Sequence, residues 1–192
     1  MARLIPLVGL DAAFSNIGIA YGEFDLDTGK TRVKDIHLVS TEADKAGKKV
    51  VRKSSDDLRR ARESFRGVSD FLKLYPNVRM LAAEIPSGAQ SARASWALGI
   101  AVGILGSLSH EKSVIEVSPR ETKEATGDKL ADKEDVIKWA SDLYPDLPWR
   151  KTKGRITKAG NEHMADAIAI IHAATKTEQF KQAAAMLSSL GA

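Results

Sequence analysis

The feature that most constrains this chain is a change of hydrophobic period near residue 55. Before it, apolar residues fall in three β-rich runs, 4–10, 17–24 and 31–39, joined by a short connection over 11–16 and by the hairpin signal Asp27-Thr28-Gly29-Lys30. After it, Leu58, Ala61, Phe65, Val68, Leu72 and Tyr75 recur every three or four positions, the stripe of one helix face. Ser55 or Asp56 is placed to cap that helix and Pro76 to stop it. Residues 78–84 and 113–117 read as buried strands, and the nearly all-apolar stretch 91–108 between them as a buried helix. A short helix over 119–126, a longer one capped by Asp132 and ended by Pro145, a basic loop over 148–160, and helices over 161–175 and 178–190 complete the chain. Three consecutive strands followed by alternating helix and strand specify an α/β fold. Its five-stranded sheet is mixed, an antiparallel meander of three strands plus two parallel ones, flanked by helices.

At 192 residues the chain has the length of a single domain, with 43% hydrophobic and 28% charged residues, as in globular proteins. No uncharged apolar run is long enough to span a bilayer, and residues 4–10 are too short for a signal-peptide core, so a cytoplasmic, membrane-free protein is expected. The chain has no cysteine, which excludes disulfides, thiolate nucleophiles and Cys-ligated zinc.

The formal charge is only +4, but it is unevenly placed. One basic cluster, over 45–66, includes Lys48, Lys49, Arg52 and Lys53; its first part lies in a segment, 41–54, that reads as a mobile insertion. The other, over 150–158, holds Arg150, Lys151, Lys153, Arg155 and Lys158 with no acid among them. Such clusters suit a polyphosphate backbone, whose neutralisation releases counterions. A solvated loop is the competing reading of each.

The carboxylates are more informative. Asp11 ends the first strand and Glu84 the fourth. If those strands are parallel neighbours, both acids emerge at the C-terminal edge of the sheet, where open α/β sheets place ligands. In Glu162-His163-Met164-Ala165-Asp166, His163 and Asp166 share a helix face at i,i+3, with Met164, Ile168 and Ile171 opposite, so that the polar pair points away from the core. Glu162 with Asp166 at i,i+4 is the competing pair. Carboxylates and an imidazole converging on one strand edge would hold hard divalent cations, and two such ions suit phosphoryl transfer without a nucleophilic side chain.

These segments, in this order, resemble the RuvC-type Holliday junction resolvases of the ribonuclease H-like superfamily. Gly9-Leu10-Asp11 followed by Gly18-Ile19-Ala20 resembles the opening strand pair with its first acid, and Leu81-Ala82-Ala83-Glu84 the second acidic strand end. Ser91 to Gly99 is similar to the small-residue helix that follows. The stretch from Val117 to Gly127, then Ala131-Asp132-Lys133, is similar to the part carrying two lysines near the cleaved phosphate, here Lys123 and Lys133. Glu162 to Ala169 resembles the last motif, with His163 where many members carry Asp. Ser87 stands where bacterial members carry a base-stacking aromatic residue. The resemblance implies a metal-dependent endonuclease that resolves four-way and other branched DNA junctions by paired nicks leaving 5′-phosphate ends. It implies Asp11, Glu84, His163 and Asp166 as ligands for two Mg²⁺ ions, with Mn²⁺ able to substitute, and a homodimer whose two sites cut symmetrically.

Two rival functions remain at this point. One is a junction-binding protein without catalysis; the other is half of an actin-like or sugar-kinase-like ATPase, for which Asp11 to Gly18 loosely suggests a phosphate hairpin and the second half is missing. Trp96 and Trp139 lie in apolar helical patterns and are expected in the core. Trp149 is the one tryptophan to weigh for base stacking, against a core position. His37, His110 and His172 lack carboxylates at ligand spacing and are expected to be structural.

Overall fold

A computed structural model describes residues 3–44, 52–85, 88 and 90–189. The chain runs β1 (Leu4–Ala12), β2 (Asn16–Asp25), β3 (Lys30–Ser40), α1 (Lys53–Lys73), β4 (Met80–Glu84), α2 (Ala92–Leu108) and β5 (Ser113–Val117). It continues through α3 (Pro119–Ala125), α4 (Lys133–Leu143), a small hairpin β6 (Lys151–Thr152) and β7 (Arg155–Ile156), α5 (Asn161–Ala174) and α6 (Glu178–Ser189). The large sheet has the order β3-β2-β1-β4-β5. Its first three strands pair antiparallel, whereas β4 pairs parallel to β1 and β5 parallel to β4. This is the mixed sheet expected from the sequence.

Side-chain alternation divides the core into two layers. Leu7 on β1, Ala20 on β2 and Ala82 on β4 face α4, α5 and α6, while Val8, Leu10, Ile19, Leu81 and Ala83 face α1 and α2. Phe180 of α6 is fully buried in the first layer, which seats that helix on the body. By the same alternation Asp11 and Glu84 continue the α5-facing sets of their strands.

Helix α5 is buried on nearly all sides, with Ala165, Ala167, Ile168, Ala169 and Ile171 fully enclosed. It lies directly on the sheet because two glycines lack a side chain beneath it. A Cβ on Gly9 would stand 2.3 Å from the Ala167 carbonyl oxygen, and one on Gly18 would stand 1.9 Å from that of His163. Neither position admits even alanine without moving the helix backbone.

Several expectations from the sequence are corrected. Helix α1 begins at Lys53, earlier than a Ser55 or Asp56 cap would start it, and no side chain caps it; Asp56 bonds instead to the Arg59 side chain and the Asp44 amide. The apolar stripe is buried only in the second half of the helix, at Val68 and Leu72; in the first half Leu58 is 54% and Phe65 40% exposed, whereas Asp57, Arg60 and Ser64 are buried. Those polar groups are satisfied. Arg93 of α2 makes a two-pronged ion pair with Asp57, and Arg60 lies over the Phe14 ring while donating to Thr41 and Ser15. Helix α2 buries only Ala101, Ile104, Leu105 and Leu108, so it is a half-exposed apolar helix rather than a buried one. Trp96 upon it is 55% exposed, not core. Trp149, by contrast, takes the core position that the sequence reading kept beside base stacking, with its indole N–H donating to the Tyr144 carbonyl. The basic stretch 148–160 contains a two-stranded hairpin rather than a plain loop. Of segment 41–54, Thr41 is buried and Lys53 and Ser54 belong to α1. Lys48, Lys49 and Ser87 lie outside the described residues.

Candidate active site

The parallel pairing of β1 and β4 runs to Leu10 opposite Ala83, so the next residues, Asp11 and Glu84, stand side by side at the C-terminal edge of the sheet. On the other side of β1, Asp11 pairs across the antiparallel ladder with Gly18. The bare backbone at Gly18 is what lets the first turn of α5 settle over this point. Its consequence is a contact between two distant parts of the chain: His163 Nδ1 lies 2.6 Å from Asp11 Oδ2.

His163 and Asp166 therefore do not point away from the core, as helix periodicity alone suggested. An isolated amphipathic helix turns its polar face to water. Here the helix is enclosed, and its polar face meets the acidic strand ends instead. Glu162 takes another direction and accepts from Lys133 Nζ at 2.6 Å. Of the two, it is His163 that bonds to a strand acid, Asp11.

The electrostatics carry the mark of partly buried acids set close to one another. Burial, reinforced by the charge of Asp11 and less strongly by that of Glu84, pushes the Asp166 carboxyl up to about 7 against the opposing pull of Lys133 and His163. Burial and the Asp11 charge also raise Glu84, while Thr122 and Lys123 pull it back. The hydrogen bond to Asp11 holds the His163 imidazole above its ordinary value despite partial burial. Pairing with Glu162 raises Lys133, which also feels Asp166 and Asp11. The charges of both Lys123 and Lys133 therefore reach the acidic group.

Three carboxylates and one imidazole are the donor set of a hard divalent cation, and the carboxyls raised by burial, and secondarily by the Asp11 charge, are ones whose ionised form a cation would favour. That chemistry fits Mg²⁺ or Mn²⁺. Among the described residues, no three such side chains already stand close enough together to hold an ion. The Asp11–His163 hydrogen bond occupies two of the prospective ligands.

Arg150, Lys151, Lys153, Arg155 and Lys158 are exposed on and beside the β6–β7 hairpin, immediately before α5. Apart from a 3.8 Å contact of Lys158 with Glu134, they make no ion pair among the described residues. Arg52 and Lys53 are exposed at the start of α1. His172 is partly buried, bonded through Nε2 to the Tyr144 hydroxyl at 2.8 Å and packed edge-on to Trp139, in keeping with a structural role. Reading the sequence missed Asn161 and the Lys133–Glu162 pair. The hint for Asn161 is its place after Gly160 at the start of a helix, where an asparagine has no apolar reason to be buried.

No protein-family model matches the sequence, and no curated protein does. Solved structures do. A structure of Thermus thermophilus RuvC in complex with a Holliday junction substrate is similar over 89% of this chain and 92% of that one, with a TM-score of 0.61 at 17% identity. A further Thermus thermophilus RuvC structure has a TM-score of 0.58 at 19% identity, over 88% of this chain and 92% of that one. The yeast mitochondrial Holliday junction resolvase Ydc2 gives a TM-score of 0.58 at 11% identity, over 96% of this chain and 83% of that one. The sheet order, the flanking helices and these likenesses together give the chain the ribonuclease H-like fold of the RuvC-type Holliday junction resolvases.

Proposed function

We propose that this protein is a metal-dependent, structure-selective endodeoxyribonuclease that resolves four-way DNA junctions. The observation that carries the reading is the meeting of Asp11 and Glu84, on adjacent parallel strand ends, with His163 and Asp166 on the helix laid over them. The fold shared with RuvC, one of whose structures holds a Holliday junction substrate, supports it.

Asp11, Glu84, His163 and Asp166 would hold two Mg²⁺ ions, or Mn²⁺ in their place, which when bound supply an acidified water and charge neutralisation at a phosphodiester. The remaining work belongs to the chain. Gly9 and Gly18 fix the helix height, so that His163 and Asp166 are presented to the strand acids without a flexible loop between them. Lys123 and Lys133, whose charges reach the acidic group from α3 and α4, steady the scissile phosphate and its developing charge. The hairpin cations, with Arg52 and Lys53 and the neighbouring Lys48 and Lys49, contact the DNA backbone and position it without reading sequence. Two symmetric cuts call for two sites, hence a homodimer about a two-fold axis. No helix among the described residues is long and apolar enough to cross a membrane.

Labelled four-way, three-way and linear duplex DNA, incubated with the protein in Mg²⁺, in Mn²⁺ and in chelator, test the reading. Paired nicks with 5′-phosphate ends, confined to branched DNA and absent in chelator, are expected. Tight junction binding without cleavage in either metal makes the protein a binder instead, and absence of any DNA interaction removes both readings.

A further inference from the structure

The β6–β7 hairpin is the most cationic element described, and little of it is held by packing. Lys151, Thr152, Lys153, Gly154 and Arg155 are all exposed. Beneath it, an open groove of about 410 Å³, lined by Glu134, Ile137, Lys138, Ile156, Thr157 and Lys158, separates it from α4. The tip is stiff on its own account: Lys153 and Gly154 both have positive φ, 50° and 79°, the signature of a two-residue turn matched to strand twist. What decides where this rigid finger points must therefore lie at its base.

The base is gripped by one side chain. Asn161, the first residue of α5, is fully buried. Its Oδ1 accepts from the Arg150 amide at 3.0 Å, and its Nδ2 donates to the carbonyls of Arg150 at 2.8 Å and Thr157 at 2.5 Å. Arg150 and Thr157 are the residues at which the two legs close, the Thr157 amide donating to the Arg150 carbonyl at 3.3 Å. An asparagine side chain offers two donors and an acceptor, and three of these meet backbone groups of the two legs at once. Gly160 completes the grip. It has φ of 82°, and a Cβ there would stand 2.7 Å from Arg150 Nη1 and 2.6 Å from Leu38 Cδ2, so the Arg150 side chain lies close against its bare backbone.

We infer that Asn161 is a positioning residue for DNA: it couples the cationic hairpin rigidly to the helix turn that carries His163, so that backbone phosphates are bound at a fixed distance from the acidic group. The inference rests on the proposed DNA-cleaving function and deepens it. A hairpin hinged loosely at its base would keep its charge but lose its registration, and ordering it on binding would cost affinity.

The test is a double-mutant cycle on binding of a labelled four-way junction in chelator, where no strand is cut. Asn161→Ala, and separately Asn161→Asp, which keeps the acceptor for Arg150 but loses both donors, are combined with a hairpin of neutral tip, Lys151→Ser, Lys153→Asn and Arg155→Ser. With the native hairpin, either Asn161 variant is expected to weaken binding about tenfold. With the neutral tip the same change is expected to have less than about a twofold effect, because the tip cations that Asn161 holds in register are gone. Equal losses in both backgrounds would overturn the inference and leave Asn161 as a stabiliser of α5. Hydrogen exchange on the unaltered protein gives a second reading that needs no variant to fold. The Arg150 amide is expected to be protected as well as the amides of α5, and exchange at the rate of an open loop overturns the clamp. If the unaltered protein binds junctions but the cycle is additive, only the clamp fails; if it binds no DNA, the functional reading falls and the clamp's role in DNA positioning with it.

Discussion

Gly18→Ala tests the link between packing and site most sharply. The added methyl carbon would stand 1.9 Å from the His163 carbonyl oxygen and 2.2 Å from its carbonyl carbon. Ordinary contact begins near 3.4 Å, so α5 must retreat by about 1.5 Å or the strand must buckle. Neither is easy, because α5 is enclosed along most of its length and Gly18 lies in the middle of a three-strand ladder. Overpacking of a well-filled core costs about 1–3 kcal/mol, and a clash of backbone against backbone belongs at the upper end, about 3 kcal/mol or more. For a chain of this size that lowers the melting temperature by roughly 6–12 °C. Gly22→Ala on the same strand is the control. There a Cβ would meet the Arg32 carbonyl oxygen at 3.1 Å and the far end of the Ile171 side chain at 3.4 Å, both relieved by small shifts. Urea unfolding of the two variants should separate them by about 2 kcal/mol. Because the displaced residue is His163, cleavage by Gly18→Ala should also fall by about 100-fold, the usual cost of misplacing reacting groups by about 1 Å. Equal stabilities for the two variants would refute the claim that these glycines set the height of the helix.

Other outcomes follow from the same structure. Burial lowers the His172 imidazole from 6.5 to about 4, so the unfolded chain takes up this proton first. Stability from this group is complete above about pH 6.5 and is lost as pH falls towards 4, a difference of roughly 3 kcal/mol at most, and a His172→Gln variant should flatten that part of the pH–stability curve. Ser118 caps α3 by accepting from the Glu121 amide at 3.2 Å, while Glu121 answers to the Ser118 amide at 2.7 Å. Ser118→Ala should cost about 1 kcal/mol in denaturant unfolding. Neutralising Lys151, Lys153 and Arg155 should make the dependence of log affinity for branched DNA on log salt shallower by up to about 3, and an unchanged slope would remove the hairpin from the interface.

The strands were legible in the sequence because their apolar runs are bounded by turn residues, and β5 occupies the predicted 113–117. So were Asp11 and Glu84, since period-two alternation and parallel pairing suffice to put them together. The direction of His163 was not legible. Helix periodicity describes an element with one wet side, whereas α5 is enclosed, and only the register of Gly18 opposite Asp11 reveals which way its polar face turns. The first half of the α1 stripe misled for a related reason. Asp57 and Arg60 are buried because distant partners, Arg93 and the Thr41–Ser15 pair, satisfy them, and one helix's own pattern carries no trace of those partners. Trp96 was misplaced in the core because an apolar helical pattern does not say which turns of the helix the rest of the fold covers, whereas Trp149 lies in the core, the alternative to base stacking that the sequence left open.

On the proposed function, the group around Asp11 hydrolyses phosphodiesters in branched DNA. The most direct measurement of this is cleavage of a four-way junction labelled in turn on each strand, in Mg²⁺ and in Mn²⁺, by the unaltered protein and by Asp11→Asn. Paired nicks are expected from the unaltered protein, and junction binding without cleavage from the variant. Cleavage by Asp11→Asn at the unaltered rate, or junction binding without cleavage by both proteins in either metal, would contradict that function.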